Sequence, residues 1–230
     1  MATLAQVEAF RAAGDQLGAV VADELEAIWG RLDLSDPRGV SHDLQLILPD
    51  MVAEYGDISA TLAADYFDEI TANYDLRTHA ATLAPTAPAE QTKAVARWGI
   101  GPLFSAEPQY LAALAMVQEG IHRLVLQAGR DTIHTNAVRN KLAYARIPSG
   151  REPCAFCLVL ASRGAVYGSR EAAGGDKYHT KCRCVPTPVR TDDDLPGDYD
   201  LARFQKVYEA HAGGSLTDVT ASIREATHAR

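Results

Sequence analysis

No cysteine occurs before position 154 and none after position 184, so all four thiols of this 230-residue chain fall in one short segment. Other absences narrow the function classes first. A surplus of Lys and Arg is missing: the formal net charge is -8 and the isoelectric point lies near 5.3, which disfavours a protein that coats nucleic acid by neutralising phosphates. Lys177, Lys181 and Arg183 beside the cysteines are the candidates for a local basic binding patch, and a solvated rim explains them at least as well. Long apolar runs are missing too. The opening stretch "MATLAQVEAFRAAGDQLG" meets acidic residues early and builds no signal-peptide core, which predicts synthesis and folding in the cytosol. The most apolar later stretch, "YLAALAMVQEGIHRLVL", is broken by Gln118, Glu119, His122 and Arg123; it reads as a buried helix and not as a membrane span. No internal repeat is visible, and no strand pattern precedes position 140.

What is present is helical periodicity. Leu17, Val21, Leu25, Ile28 and Leu32 recur every three or four residues and predict one long helix from Ala5 to Leu32. Ser35, Asp36 and Pro37 supply a turn and a helix start. The second helix carries Leu44, Ile47, Leu48 and Val52, with Pro49 and Gly56 as points where it bends or ends. A third helix follows in "SATLAADYFDEITANY", and "APTAPAE" reads as a linker into the short helix "QTKAVARW". Gly99, Gly101 and Pro102 break the chain before a helix from Glu107 to Gln127, and "RDTIHTNAVRN" predicts one more short helix.

The pattern changes at "AYARIP", a short extended run that stops at Pro148, and "VPTPV" past the last cysteine is extended as well. The two are expected to pair antiparallel around the cysteine segment, with their prolines at edge positions. "TDDDLPGDYD" is an acidic linker. "LARFQKVYEAH" and "SLTDVTASIREATHAR" offer amphipathic helices without a core of their own, an arm that docks on another subunit or stays mobile. The fold class is therefore mainly α: a helical domain over 1–140, a small zinc-binding α+β module over 141–190 with one antiparallel strand pair, and a linker with a C-terminal helical arm over 191–230. Because its apolar faces lie before 140, the helical domain is expected to fold without the metal.

Cys154 and Cys157 in Cys-x-x-Cys spacing can hold one ion from the same side, and a second pair from "HTKC" completes a tetrahedron. His179 with Cys182 is the preferred second pair, and Cys184 competes for the fourth position because residues 182 and 184 of a strand share a face. The gap from Cys157 to His179 exceeds the usual roughly 12 to 20 residues, but it reads as a short helix, a turn at Gly164 and a loop. Structural zinc is favoured over a disulfide, over free thiols and over a redox pair. Stable disulfides are rare in a reducing cytosol, and the parallel βαβ unit that frames a thioredoxin-like motif is missing. His42, His79, His122, His134, His211 and His228 lack ligand spacing and read as surface or satisfied structural residues. Asp65, Asp68 and Glu69 read as a solvated helix face.

The order Cys-x-x-Cys, "ASRGAVY", His-x-x-Cys-Arg-Cys and a Pro-Val strand resembles the C-terminal module of the phage Mu F-like minor head proteins, especially those of actinobacterial phages and prophages. "VAEYGDISATLAADYFDEI" and "ARWGIGPLF" are similar to their N-terminal half, so the resemblance spans roughly residues 40 to 190. It implies a minor capsid, or head morphogenesis, protein in few copies near the portal vertex and inner capsid surface of the virion, present in the host cytoplasm during assembly. Portal protein and major capsid protein are the implied partners, packaged DNA is a further candidate, and the chain is expected to oligomerise within the particle. Some relatives carry toxin domains, for which this chain has no room, and others are labelled capsid maturation proteases. No catalytic set maps onto that label here: Ser149, Ser162 and Ser169 lack a partner histidine, and His179 is better used as a ligand. A structural protein is therefore expected, with a maturation protease or another zinc-dependent enzyme of head assembly as the alternative. Thr180 stands where many relatives have Asp or Pro, and the tail beyond Thr191 matches nothing in the family.

Overall fold

The computed structural model describes residues 2–78, 80–149, 154–166, 178, 182 and 184–227. Seven α-helices and one strand pair are described: α1 (Leu4–Trp29), α2 (Pro37–Thr71), α3 (Ala89–Gly99), α4 (Tyr110–Arg139), β1 (Ala143–Pro148), α5 (Ala155–Ala161), β2 (Cys184–Val189), α6 (Leu201–His211) and α7 (Leu216–Thr227). Short 3-10 turns at Gly101–Phe104 and Asp192–Asp194 complete the order. The fold is mainly helical with one two-stranded antiparallel sheet, as the sequence predicts.

Local chemistry sets the helix starts. Thr3 and Gln6 form a reciprocal capping box on α1, and the Asp36 carboxylate accepts from the Arg38 amide with Pro37 in the first turn of α2. Two predicted breaks do not occur. The second and third predicted helices are one 35-residue helix, and the Glu107–Gln127 and 130–140 segments are both parts of the 30-residue α4. The physical reason is that α2 and α4 form the most extensive helix pair of the fold, and tertiary burial outweighs local propensity. Gly129 serves that packing, and Gly56 serves the seating of the segment before α3. A Cβ at Gly56 would stand 2.7 Å from the Thr86 methyl, and one at Gly129 would stand 2.8 Å from the Ser59 carbonyl oxygen. Both glycines mark close approaches and not helix ends.

The predicted linker before α3 is also built into the fold. Thr132 and Asn136 of α4 and its C-cap Asn140 lie one turn apart and act as a ladder for the linker backbone: Thr132 accepts from the Ala84 amide (3.0 Å), Asn136 from Thr82 (2.9 Å) and Asn140 from Thr78 (3.0 Å). Asn136 also donates to the Thr82 carbonyl at 2.8 Å. Side chains of a helix thus satisfy a segment with no strand partner.

Two apolar clusters fill the bundle. One holds Leu25, Leu44, Leu48, Ile121 and Leu124, where the C-terminal half of α1 meets α2, α3 and α4. The other joins Tyr66, Phe67 and Ile70 of α2 and Ile133 and Ala137 of α4 to Tyr144, Ala145 and Ile147 of β1, Val185 and Val189 of β2, and Leu160 of α5. The strand pair is therefore packed into the lower half of the bundle core. β1 and β2 run in register from Ala143 opposite Val189 to Pro148 opposite Cys184. The turn at Gly164 is present with φ of +65°, and the Asp192 carboxylate accepts from the next amide, Ala165, at 2.7 Å.

The C-terminal arm departs from expectation. Val219 and Ile223 of α7 are buried against Ala155 and Val159 of α5, with Val207 of α6 alongside. The arm has a core after all, and it docks on the helix that opens with the Cys-x-x-Cys pair.

Candidate metal centre

Cys154 caps α5: its backbone is extended, and its sulfur accepts from the Cys157 amide at 3.2 Å. One helical turn then brings the Cys157 sulfur to 2.8 Å from that of Cys154. Cys184 is the first residue of β2, placed by pairing with Pro148, and Cys182 stands two residues before it. All four cysteines are buried and none is in a disulfide. The sulfurs of Cys157, Cys182 and Cys184 lie within 4.8 Å of one another. Those of Cys157 and Cys182 are 3.7 Å apart. A tetrahedron of sulfurs about 2.3 Å from one ion has edges of about 3.8 Å.

The donors fit a soft divalent ion: thiol sulfur, clustered and shielded, suits zinc. Cys157, Cys182 and Cys184 are the described group that could hold it, with Cys154 beside Cys157, and an ion so held would tie the α5 turn to β2. His179 and the basic residues Lys177, Lys181 and Arg183 lie outside the described residues. Of the predicted set the structure thus brings Cys157 and Cys182 together with Cys184, the competing ligand, and places Cys154 beside Cys157.

The surroundings were not foreseen. Arg146 of β1 is 1% exposed and Arg130 of α4 is 8% exposed. Arg146 Nη2 donates to the Cys182 sulfur at 3.4 Å, and Arg130 Nη2 donates to the Cys182 carbonyl at 3.3 Å. Both guanidinium groups lie over the ring of Tyr178, at 3.7 and 4.1 Å from its centroid. The Tyr178 hydroxyl is 3.2 Å from His134 Nε2, and His134 stacks on Tyr144 with centroids 4.3 Å apart. His134 is thus the structural histidine that its sequence context suggests. An arginine alone among apolar residues, as in "AYARIP", was the available signal for Arg146. Arg130, next to Asp131, offered none.

The electrostatics follow from this packing. Hydrogen bonds with Cys157 and Cys184, then the charges of Arg146 and Arg130, hold the Cys182 thiol far below its ordinary value. Burial pushes Cys184 well above its own. Cys157 is also pushed up, chiefly by its contacts with Cys154 and Cys182. Burial lowers Arg130, whereas Arg146, also opposed by burial, is raised by Tyr178 and the three neighbouring thiols.

A cavity of about 60 Å³ adjoins the thiols, lined by Phe10, Leu62, Leu126, Arg130, Cys182 and Pro186. The serines and carboxylates weighed from the sequence have other occupations. Ser162 donates to the Val159 carbonyl at 2.8 Å, Asp68 accepts from the Ala81 amide at 3.0 Å, and Glu69 accepts from the Gln6 side chain at 2.7 Å. Ser169 lies outside the described residues.

No described helix is long and apolar enough to cross a membrane. No solved structure matches the chain. The chain is similar to the Gene 15 protein of Mycobacterium phage L5, with 25% identity over 78% of this chain and 74% of that protein. The family model for VG15 protein matches residues 1–211, which takes in the helical bundle, the strand pair, the thiol cluster and α6. With nearly the whole chain matched, this protein belongs to the VG15 protein family.

Proposed function

We propose that this protein is a phage minor capsid protein of the Mu F-like kind, acting in head morphogenesis at the portal vertex and inner capsid surface. Its role is assembly, with portal and major capsid proteins as partners, and its metal centre is structural zinc. The observation that carries the structural reading is the burial of the thiol cluster: Cys154, Cys157, Cys182 and Cys184 are all at most 9% exposed. A catalytic zinc keeps an open position for water, whereas a centre closed by protein ligands fixes chain segments to one another. Here the segments are the start of α5 and the start of β2, and through them the strand pair and the docked α7.

A surface for partners is available at the turn that joins α3 to α4. Trp98, Phe104 and Leu111, which flank that turn in the chain, are large apolar residues 60%, 58% and 82% exposed. The decisive experiment locates the chain in purified particles. Immunogold labelling and mass spectrometry of the parent virion should find it in few copies at one vertex, and a Trp98→Asp, Leu111→Asp double variant should fold normally yet be missing from particles. Absence of the wild-type protein from both procapsids and virions would overturn the assignment.

A further inference from the structure

We propose that Arg130 and Arg146 are the built-in counter-charge of an all-thiolate metal centre, so that Cys184, and not His179, completes the ligand set with Cys154, Cys157 and Cys182. This rests on the reading of the cluster as a zinc site. A divalent ion held by four thiolates carries two net negative charges. Replacing one thiolate by a neutral imidazole leaves a single negative charge.

The protein has placed two permanent positive charges against this cluster. Arg146 is almost completely enclosed and Arg130 nearly so. Among the described residues neither forms an ion pair with a carboxylate. A buried guanidinium without a counter-ion is strongly unfavourable, and the described groups that receive these two are the Tyr178 ring, the Cys182 carbonyl and the Cys182 sulfur. None of those is an anion while the thiols are protonated. Two guanidinium charges match a four-thiolate centre and leave one positive charge unbalanced beside a three-thiolate centre. Cys184 already stands within 4.8 Å of both Cys157 and Cys182, and the Cys154 sulfur lies 2.8 Å from that of Cys157. Arg130 and Arg146 are therefore positioning residues for the metal: they touch the chain around Cys182 and lower the electrostatic cost of gathering four thiolates. The arrangement also explains why β1, buried over its four central residues, carries an arginine.

X-ray absorption of the full-length zinc protein counts the ligands directly, without a variant that has to fold. The expected result is a shell of four sulfurs; three sulfurs and one nitrogen would overturn the proposal while leaving the zinc site intact. If the purified chain retains no metal and takes up none, the zinc reading falls and the proposal with it. Chelator competition then tests the arginines. Arg146→Met should weaken zinc binding about 10- to 100-fold, as loss of outer-shell partners does, and Arg146→Lys, which restores the charge, should recover most of that loss. Wild-type affinity in folded Arg146→Met, or no recovery in Arg146→Lys, contradicts the counter-charge role.

Discussion

The Tyr66 hydroxyl of α2 and the Thr187 hydroxyl of β2 are 2.9 Å apart and buried, joining residues 121 positions apart in the chain. This contact pins the middle of the strand pair to the helical bundle. Tyr66→Phe leaves the Thr187 hydroxyl without that partner and should cost about 1–3 kcal/mol. Adding Thr187→Val should recover part of the loss, because two apolar groups then face each other. Urea denaturation of the four proteins in this cycle measures both effects.

A fragment ending at Asn140 should not give a cooperative thermal transition. It would strip Tyr144, Ala145, Ile147, Val185 and Val189 from the cluster that contains Phe67, Ile70, Ile133 and Ala137. The exposed faces should bind a hydrophobic dye, and calorimetry should show a broad, weak transition. A sharp transition in the fragment would establish 1–140 as an independent folding unit.

Cys157→Ser should abolish both zinc retention and particle assembly. Cys157 is fully enclosed, and its sulfur approaches those of both Cys154 and Cys182. In small zinc modules the metal contributes an apparent 10–16 kcal/mol, about the free energy that folds them. Electron microscopy of lysates carrying the variant should show no proper shells. Intact but uncleaved procapsids would instead point to a maturation protease.

Acid should weaken the fold through Asp194. Its carboxylate receives two hydrogen bonds of 2.7 Å from the Arg190 guanidinium and one of 3.0 Å from the Arg190 amide, which hold its pKa at about 2. A depressed carboxylate stabilises the fold above its unfolded pKa, near 4, and that contribution is lost as pH falls toward about 2. Asp194→Asn should be less stable than wild type at neutral pH and should lose less stability between pH about 4 and about 2. Denaturant midpoints across that window provide the check.

Much of this molecule was legible in the sequence because the signals were local. The stripe Leu17, Val21 and Leu25 gave α1, the runs "AYARIP" and "VPTPV" gave the strands and their pairing, and the cysteine spacing gave the cluster. The errors share a cause. Gly56 looks like a break in one dimension but is a contact point in three, so α2 was read as two helices. Arg130 and Arg146 went unassigned in the sequence, and only the approach of Tyr178 and Cys182 shows what they face. The docking of α7 depended on a partner face on α5 that is only seven residues long.

That docking imposes an order on biosynthesis. Ala155 and Val159 leave the ribosome well before Val219 and Ile223, the residues that cover them. During that interval the helix that opens with Cys154 and Cys157 has one bare apolar side, and β1 lacks its partner until β2 emerges. A nonsense codon ahead of α7 would therefore release a protein that has every cysteine and still exposes the back of its thiol-bearing helix to its neighbours.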